Sequence, residues 1–386
     1  MRYILHFYNV NNTDNGAPVW AWIGVFRVGT ITLNVNGKAG VVRLSRHSRW
    51  MLGAIAAGLI TSAQAGESFC LAVKTPSKSA LLSTASRPPS PQPIPVMHTE
   101  GTLPHQGIYD ISNAAKRDFG YMRDLALAWR MAGDAASLSR LAVYLDDWIK
   151  TYRLSFNPID ETGLDGLIDA YQLTRNDLPE ATRERTRRFL NDLTTGYLQR
   201  MQAHQQDKRG TWNNNWQSHR VKLVTMGAAA LDDPRLMAAA QQAFVRQLNA
   251  NVRADGEVLD FSQRDALHYV VYSLEPLVRA ALAARTQGHD WLDLKGRDGQ
   301  SLRAALAWLK PYADGVKTHE EFARTTVRFD IERRQAGVPG FDGLWPAKTA
   351  SALYWSASLL DERYLEIARK LNATPPRWLW AAASCR

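Results

Sequence analysis

Cysteine is nearly absent, with two residues in 386, Cys70 and Cys385. No thiol cluster exists to hold zinc or iron, and His204, His219 and His268 lack metal-ligand spacing, so no metal centre is expected. There is no Gly-x-Ser-x-Gly, no phosphate loop and no Gly-x-Gly-x-x-Gly opening a helix after a strand. Their absence removes the nucleophile-elbow, nucleotide-hydrolysing and dinucleotide-binding readings and leaves no cofactor to expect. Alternating apolar and polar residues are missing after residue 100, which argues against a sheet-based body. The chain also lacks an apolar run long enough for a confident membrane span.

A shorter apolar run, Trp50–Ile60, follows Arg43, Arg46 and Arg49 and ends near Ala63-Gln64-Ala65. This pattern reads as a signal peptide over 43–65, with a signal anchor as the alternative. It implies export to a periplasmic or secreted location, with no stable membrane insertion after removal. Residues 1–42 then read as an upstream leader from a misplaced start, or else as a short strand-rich module. From Gly66 onward, 41 basic residues face 36 acidic ones. The surplus favours anionic partners. No nucleic-acid motif accompanies it, so nucleic acid is not expected. In an oxidising compartment Cys70 and Cys385 are expected to form one disulfide. The Pro/Ser-rich stretch within 66–104 reads as a flexible tether.

The body, 105–386, has helical spacing throughout. Leu138, Leu141, Leu145, Trp148 and Tyr152 share a face, as do Phe189, Leu193, Tyr197 and Met201. Turn signals such as Gly133-Asp134, Asp232-Asp233-Pro234 and Pro339-Gly340 separate such runs. Short connections imply antiparallel neighbours. The expected fold is all-α, an incomplete (α/α) toroid or barrel of antiparallel helix hairpins with a cleft where helix ends meet, in a monomer.

Two stretches concentrate polar chemistry. The first is Trp212-Asn213-Asn214-Asn215-Trp216, with His219 one turn beyond Asn215. One asparagine suffices as an N-cap, and three exceed capping needs. Tryptophan faces stack on sugar rings, although core packing is the ordinary alternative. The second stretch holds Arg264, Asp265, His268, Tyr269 and Tyr272. Ser262-Gln263-Arg264-Asp265 has capping-box spacing, which makes Asp265 structural and puts Arg264 in the first turn of a helix. An otherwise apolar helix carrying Arg, His and two Tyr needs a reason for those groups; tyrosines with satisfied hydroxyls in a core would be one. Asp160, Glu161 and Asp165 are the nearest candidates for a glycoside-hydrolase carboxylate pair but read as a solvated loop; Arg324, Arg328, Arg333 and Arg334, near Trp345, read as a solvated basic helix face, with an extension of the binding groove as the alternative.

At these residues the chain resembles the alginate lyase family of helical-toroid polysaccharide lyases. Asn213-Asn214-Asn215-Trp216 looks like the family's Asn-Asn-His followed by aromatics. Ala266-Leu267-His268-Tyr269, running into Tyr272-Ser273-Leu274-Glu275-Pro276-Leu277, looks like its Arg-Ala-Leu-x-Tyr helix. Two departures mark a divergent branch: Asn215 or Trp216 stands where the family has histidine, and Asp265 where it has arginine. The resemblance implies β-elimination on an anionic polyuronate, alginate- or glucuronan-like. Tyr272 would be base and acid. Asn214, Asn215, Arg264 and His219 would neutralise the carboxylate, with His219 also an alternative base for the opposite C5 epimer. Trp212, Trp216, Asn213, His268 and Tyr269 would bind substrate. A non-catalytic polysaccharide binder and an (α/α)-toroid glycoside hydrolase are the alternatives.

Overall fold

The computed structural model describes the backbone of three strands within 23–43, then residues 70, 73, 75–207 and 209–383. The strands β1 (Ile23–Val25), β2 (Thr30–Val35) and β3 (Lys38–Arg43) form an antiparallel meander in a unit of its own, Met1–Thr61. The apolar run of the expected signal peptide and Cys385 lie outside the described residues. No described helix is long and apolar enough to cross a membrane.

The second unit, Ser62–Arg386, is all-α. Its helices are α1 (Lys78–Ala85), α2 (Tyr109–Ala132), α3 (Ala135–Thr151), α4 (Asp165–Thr174), α5 (Glu180–Ala203), α6 (Asn215–Leu231) and α7 (Pro234–Asn251). They continue as α8 (Leu259–Arg264), α9 (Leu267–Arg285), α10 (Leu302–Ala313), α11 (Arg328–Gln335), α12 (Ser351–Leu360) and α13 (Leu365–Leu371). Local chemistry sets their ends. Asp134 caps α3 through the Ser137 amide, and Gly133 before it turns left-handed at φ 70°. Asp233 caps α7 with Pro234 in its first turn.

Packing arranges the helices in two rows. An inner row runs α2, α4, α6, α9, α12, each against the next, while α3, α5, α7, α10 and α13 pack outside it. The final 3-10 turn, Arg377–Ala381, returns to α2 and α4. This is the expected incomplete (α/α) toroid. Close approach within it needs glycine: a Cβ on Gly166 would lie 2.4 Å from the Phe119 carbonyl oxygen, and one on Gly227 would lie 2.0 Å from Thr194 Oγ1.

The inner row is also joined by buried charge. Arg123 of α2 donates to Asp165 and Asp169 of α4; Lys222 of α6 pairs with Asp165 at 2.7 Å, and Arg279 of α9 with Asp169 at 2.7 Å. Trp378 of the last turn lies against both Arg123 and Arg279. Burial drives the Glu275 carboxyl up to about 7, against the pull of Lys222.

Two sequence expectations are corrected here. The proline-rich stretch is no loose tether. Tyr144 and Arg140 donate to the Pro89 and Pro88 carbonyls, the Arg153 amide donates to Pro95 O at 3.1 Å, and Met97 is buried. Prolines supply acceptors without donors, and the body supplies the missing donors. Nor is the 160–165 loop solvated. Asp160 accepts from the Thr99 amide at 2.7 Å and faces His98, while Glu161 holds Tyr152, Tyr197 and the Ser155 amide. Both carboxylates are buried because loop amides and phenols occupy their oxygens.

Candidate active site

A cavity of about 310 Å³ opens where α6 and α9 begin. Asn214, Asn215 and Trp216 form one wall; Arg264, His268, Tyr269 and Tyr272 form the next. Phe329 and Arg333 of α11 stand with Phe341 on a third side, and Thr99–Pro104, Tyr109 and Asn113 make a fourth. Seven of the ten expected site residues therefore meet in one place.

The turn before α6 aims the amides. Asn214 is the N-cap, its Oδ1 accepting from the Trp216 amide at 3.1 Å. That leaves its Nδ2 without an acceptor among the described residues. Asn215 is held from behind: its Nδ2 donates to Asp260 Oδ1 at 2.6 Å, and Asp260 also takes Asn251 Nδ2 at 2.9 Å. Burial raises the Asp260 carboxyl, opposed by these amides.

The expected capping box does not open α9. Ser262–Asp265 instead closes the short α8, with Asp265 left-handed at φ 53° as its C-cap. Asp265 turns away to bind Arg324, whereas Arg264, one position earlier, lines the cavity. The true cap of α9 comes from Glu321, whose carboxylate takes the Leu267 and His268 amides at 2.7 and 3.0 Å. Asp265 is structural, as expected.

Arg333 departs from the solvated face expected of it and follows the alternative, lining the cavity. It donates to Tyr269 Oη at 2.8 Å, and the Arg264 guanidinium lies 3.9 Å from the centre of the same ring. Both arginines turn toward one fully buried carboxylate, Asp330, at 3.4 and 3.9 Å. Two cations share one anion, so this wall holds surplus positive charge. Only tertiary placement reveals it, because α11 by itself is a short, strongly polar helix. Glu100 faces the same cavity, its carboxyl raised by burial and by Asp160.

The aromatic residues divide. Tyr272 keeps part of its surface open to the cavity, while burial pushes its phenol above the ordinary range and Arg333 pulls the other way. His268 lies nearly parallel to Tyr272 at 6.3 Å, and burial, with Arg333 and Arg264, lowers it to about 4. Its neutral form is therefore the folded form. The linkage has a definite sign: this stability is complete above about pH 6.5 and is lost as pH falls toward about 4. The term amounts to about 3 kcal/mol at most. Urea titrations across that window should show a steeper acid loss for the wild type than for His268→Gln; parallel curves would refute the assignment.

His219 stands behind the site and does not line it. It is buried, its ring 4.4 Å from that of Tyr272. Lys222 Nζ donates to Thr162 Oγ1 at 2.8 Å, which frees the threonine hydrogen for His219 Nδ1 at 2.6 Å. The imidazole proton then belongs on Nε2, which finds no acceptor of good geometry. Burial and Lys222 hold the ring neutral. A sealed Nε2–H tautomer has no free lone pair to offer a substrate, which counts against His219 as a base.

Trp212 and Asn213 belong elsewhere. They line a separate cavity of about 280 Å³. His204 stacks on Trp212 at 4.3 Å and 15°, and the Arg220 guanidinium lies 3.8 Å from the same ring. Two groups that close cannot share one face, so both indole faces are covered and no sugar can stack there. Trp216 remains at the first cavity.

The sequence matches the family model described as alginate lyase over residues 71–319. An alginate lyase from Bacteroides ovatus superposes with a TM-score of 0.56 at 17% identity, covering 85% of this chain and 98% of that one. An alginate lyase from a Sphingomonas species gives 0.50 at 18% identity, over 66% of this chain and 77% of that one. A histidine-to-alanine alginate lyase variant complexed with tetrasaccharide gives 0.50 at 19% identity, over 64% and 70%. At these identities the likeness is one of fold. No curated protein matches the sequence.

Proposed function

The chain belongs to the alginate lyase family and is a polysaccharide lyase, and from that premise we propose that it cleaves a uronic-acid polymer by β-elimination in the cavity where α6 and α9 begin. The C5 proton of a uronate is weakly acidic because its removal throws charge onto the carboxylate. Prearranged donors must hold that charge. Arg264, Arg333 and the unoccupied Nδ2 of Asn214 line one cavity and are suited to it. Asp260 fixes Asn215 beside them.

Tyr272 then carries the proton. Its phenolate takes hydrogen from C5, the C4–O4 bond breaks, and the resulting phenol protonates O4, leaving a C4–C5 double bond and a regenerated phenolate. The reading rests above all on one observation: Arg264 and Arg333 share the single carboxylate Asp330 beside Tyr272. Glu100 is the other acid at this cavity, and burial and Asp160 raise its carboxyl toward the neutral form, so an anionic substrate can match the two arginines.

A panel of polymannuronate, polyguluronate, glucuronan and neutral glucans, followed by ultraviolet absorbance, tests the proposal. At least one polyuronate should yield the conjugated unsaturated product, and the neutral polymers none. Chain shortening without new absorbance on every polyuronate would refute elimination.

A further inference from the structure

The second cavity, beside the first, is not used by the mechanism above. It lies among the end of α5, the 210–213 turn, α7 and the loop before α10. Arg246 and Arg297 both line it, and neither guanidinium makes a hydrogen bond or ion pair with any described residue. Arg185, by contrast, pairs with Asp146, and Arg303 with Asp293 and Asp361. One acid, Asp298, shares the lining, so the cavity keeps a surplus of positive charge.

Neutral donors complete the wall. The Asn213 side-chain amide has no partner among the described residues. Asn249 Oδ1 accepts from the Arg297 amide at 2.6 Å, which leaves its Nδ2 free. Gln247, 1% exposed, has an Oε1 without a donor. Two cations with amide donors and an unfilled acceptor suit a ligand bearing a carboxylate and hydroxyls together.

The two cavities share a strut. Gln247 Nε2 donates to Asn214 O at 3.0 Å, and Asn251 Nδ2 donates to Asn213 O at 2.9 Å and to Asp260 at 2.9 Å. Asn213 thus faces one cavity while the adjacent Asn214 faces the other. We infer that the cavity bounded by Arg246, Arg297, Asn213 and Asn249 is a second subsite for an acidic sugar, engaging a uronate remote from the bond being broken. The identity of the sugar rests on the proposed polyuronate activity; the existence of a carboxylate-sugar site does not.

The test is Arg246→Ala with Arg297→Ala, two exposed positions whose loss removes no described contact. In a Tyr272→Phe background, calorimetric titration with polymannuronate oligosaccharides should show affinity falling about tenfold or more, as expected when charge-assisted hydrogen bonds are lost. In the active enzyme KM for long chains of the polyuronate it cleaves should rise while kcat stays, and KM for a trisaccharide of the same polymer should move less. Unchanged affinity and unchanged KM in a protein that still eliminates would overturn the subsite and leave the function standing. Arginine-dependent binding in a protein that produces no unsaturated product from any polyuronate would do the reverse.

Discussion

Tyr272→Phe should abolish elimination while leaving the fold and substrate affinity nearly intact. The phenol oxygen is the only part removed, and no described group hydrogen-bonds to it, so the ring can keep its places against His219 and His268. Each proton transfer by a positioned side chain is worth about 10²–10⁴-fold, and here one oxygen serves two transfers. The fall should therefore reach at least about 10³-fold in kcat, with KM little changed, the signature of an interaction made in the transition state. The pH profile gives a second readout. Burial raises the phenol and the cycle starts from phenolate, so kcat/KM of the wild type should climb toward alkaline pH. Residual activity in Tyr272→Phe should lose that limb. Wild-type turnover in the variant would remove Tyr272 from the mechanism, and an unchanged limb would assign it to another group.

What the sequence disclosed and what it hid divide along local and distant interactions. Helical periodicity, the Asp233-Pro234 cap and the Gly133 turn act within a few residues, and the structure repeats them. The convergence of Asn214, Asn215, Arg264, His268, Tyr269 and Tyr272 was readable because two helix starts carried polar groups that an apolar core would not tolerate. The Ser262–Asp265 pattern misled because the same spacing can close a helix. What decides is Glu321, more than fifty residues on, capping α9 in its place. Arg333 looked solvated because its helix is polar; its neighbours Tyr269 and Phe341 arrive from other segments. Trp212 looked like a sugar platform until His204 and Arg220 covered both faces. In each case a partner distant in sequence decided the role.

The largest effect on stability should come from Asp169→Ala. Asp169 is buried between Arg123 of α2 and Arg279 of α9, and it accepts from both. Its removal strands the buried Arg279 guanidinium and takes one of two carboxylates from Arg123. Arg123 retains Asp165, but Asp165 already serves Lys222. Among the described residues Arg279 keeps the Met226 sulfur, at 3.8 Å, and the Trp378 face. Breaking a buried pair from one side costs about 3–5 kcal/mol, because the remaining charge is neither solvated nor matched. The intact network need not be worth that much, since an apolar replacement of both partners can be neutral. Asp169→Leu combined with Arg279→Met should therefore melt well above Asp169→Leu alone. A double-mutant cycle on thermal midpoints separates the two situations. Additive losses would mean that Arg279 and Asp169 are not coupled. The same network reaches Thr162 and His219 through Lys222, directly behind Tyr272. Loss of Asp169 should accordingly lower kcat even below the melting transition. A variant that melts like wild type would show that the inner helices are joined by their apolar faces and not by this charge.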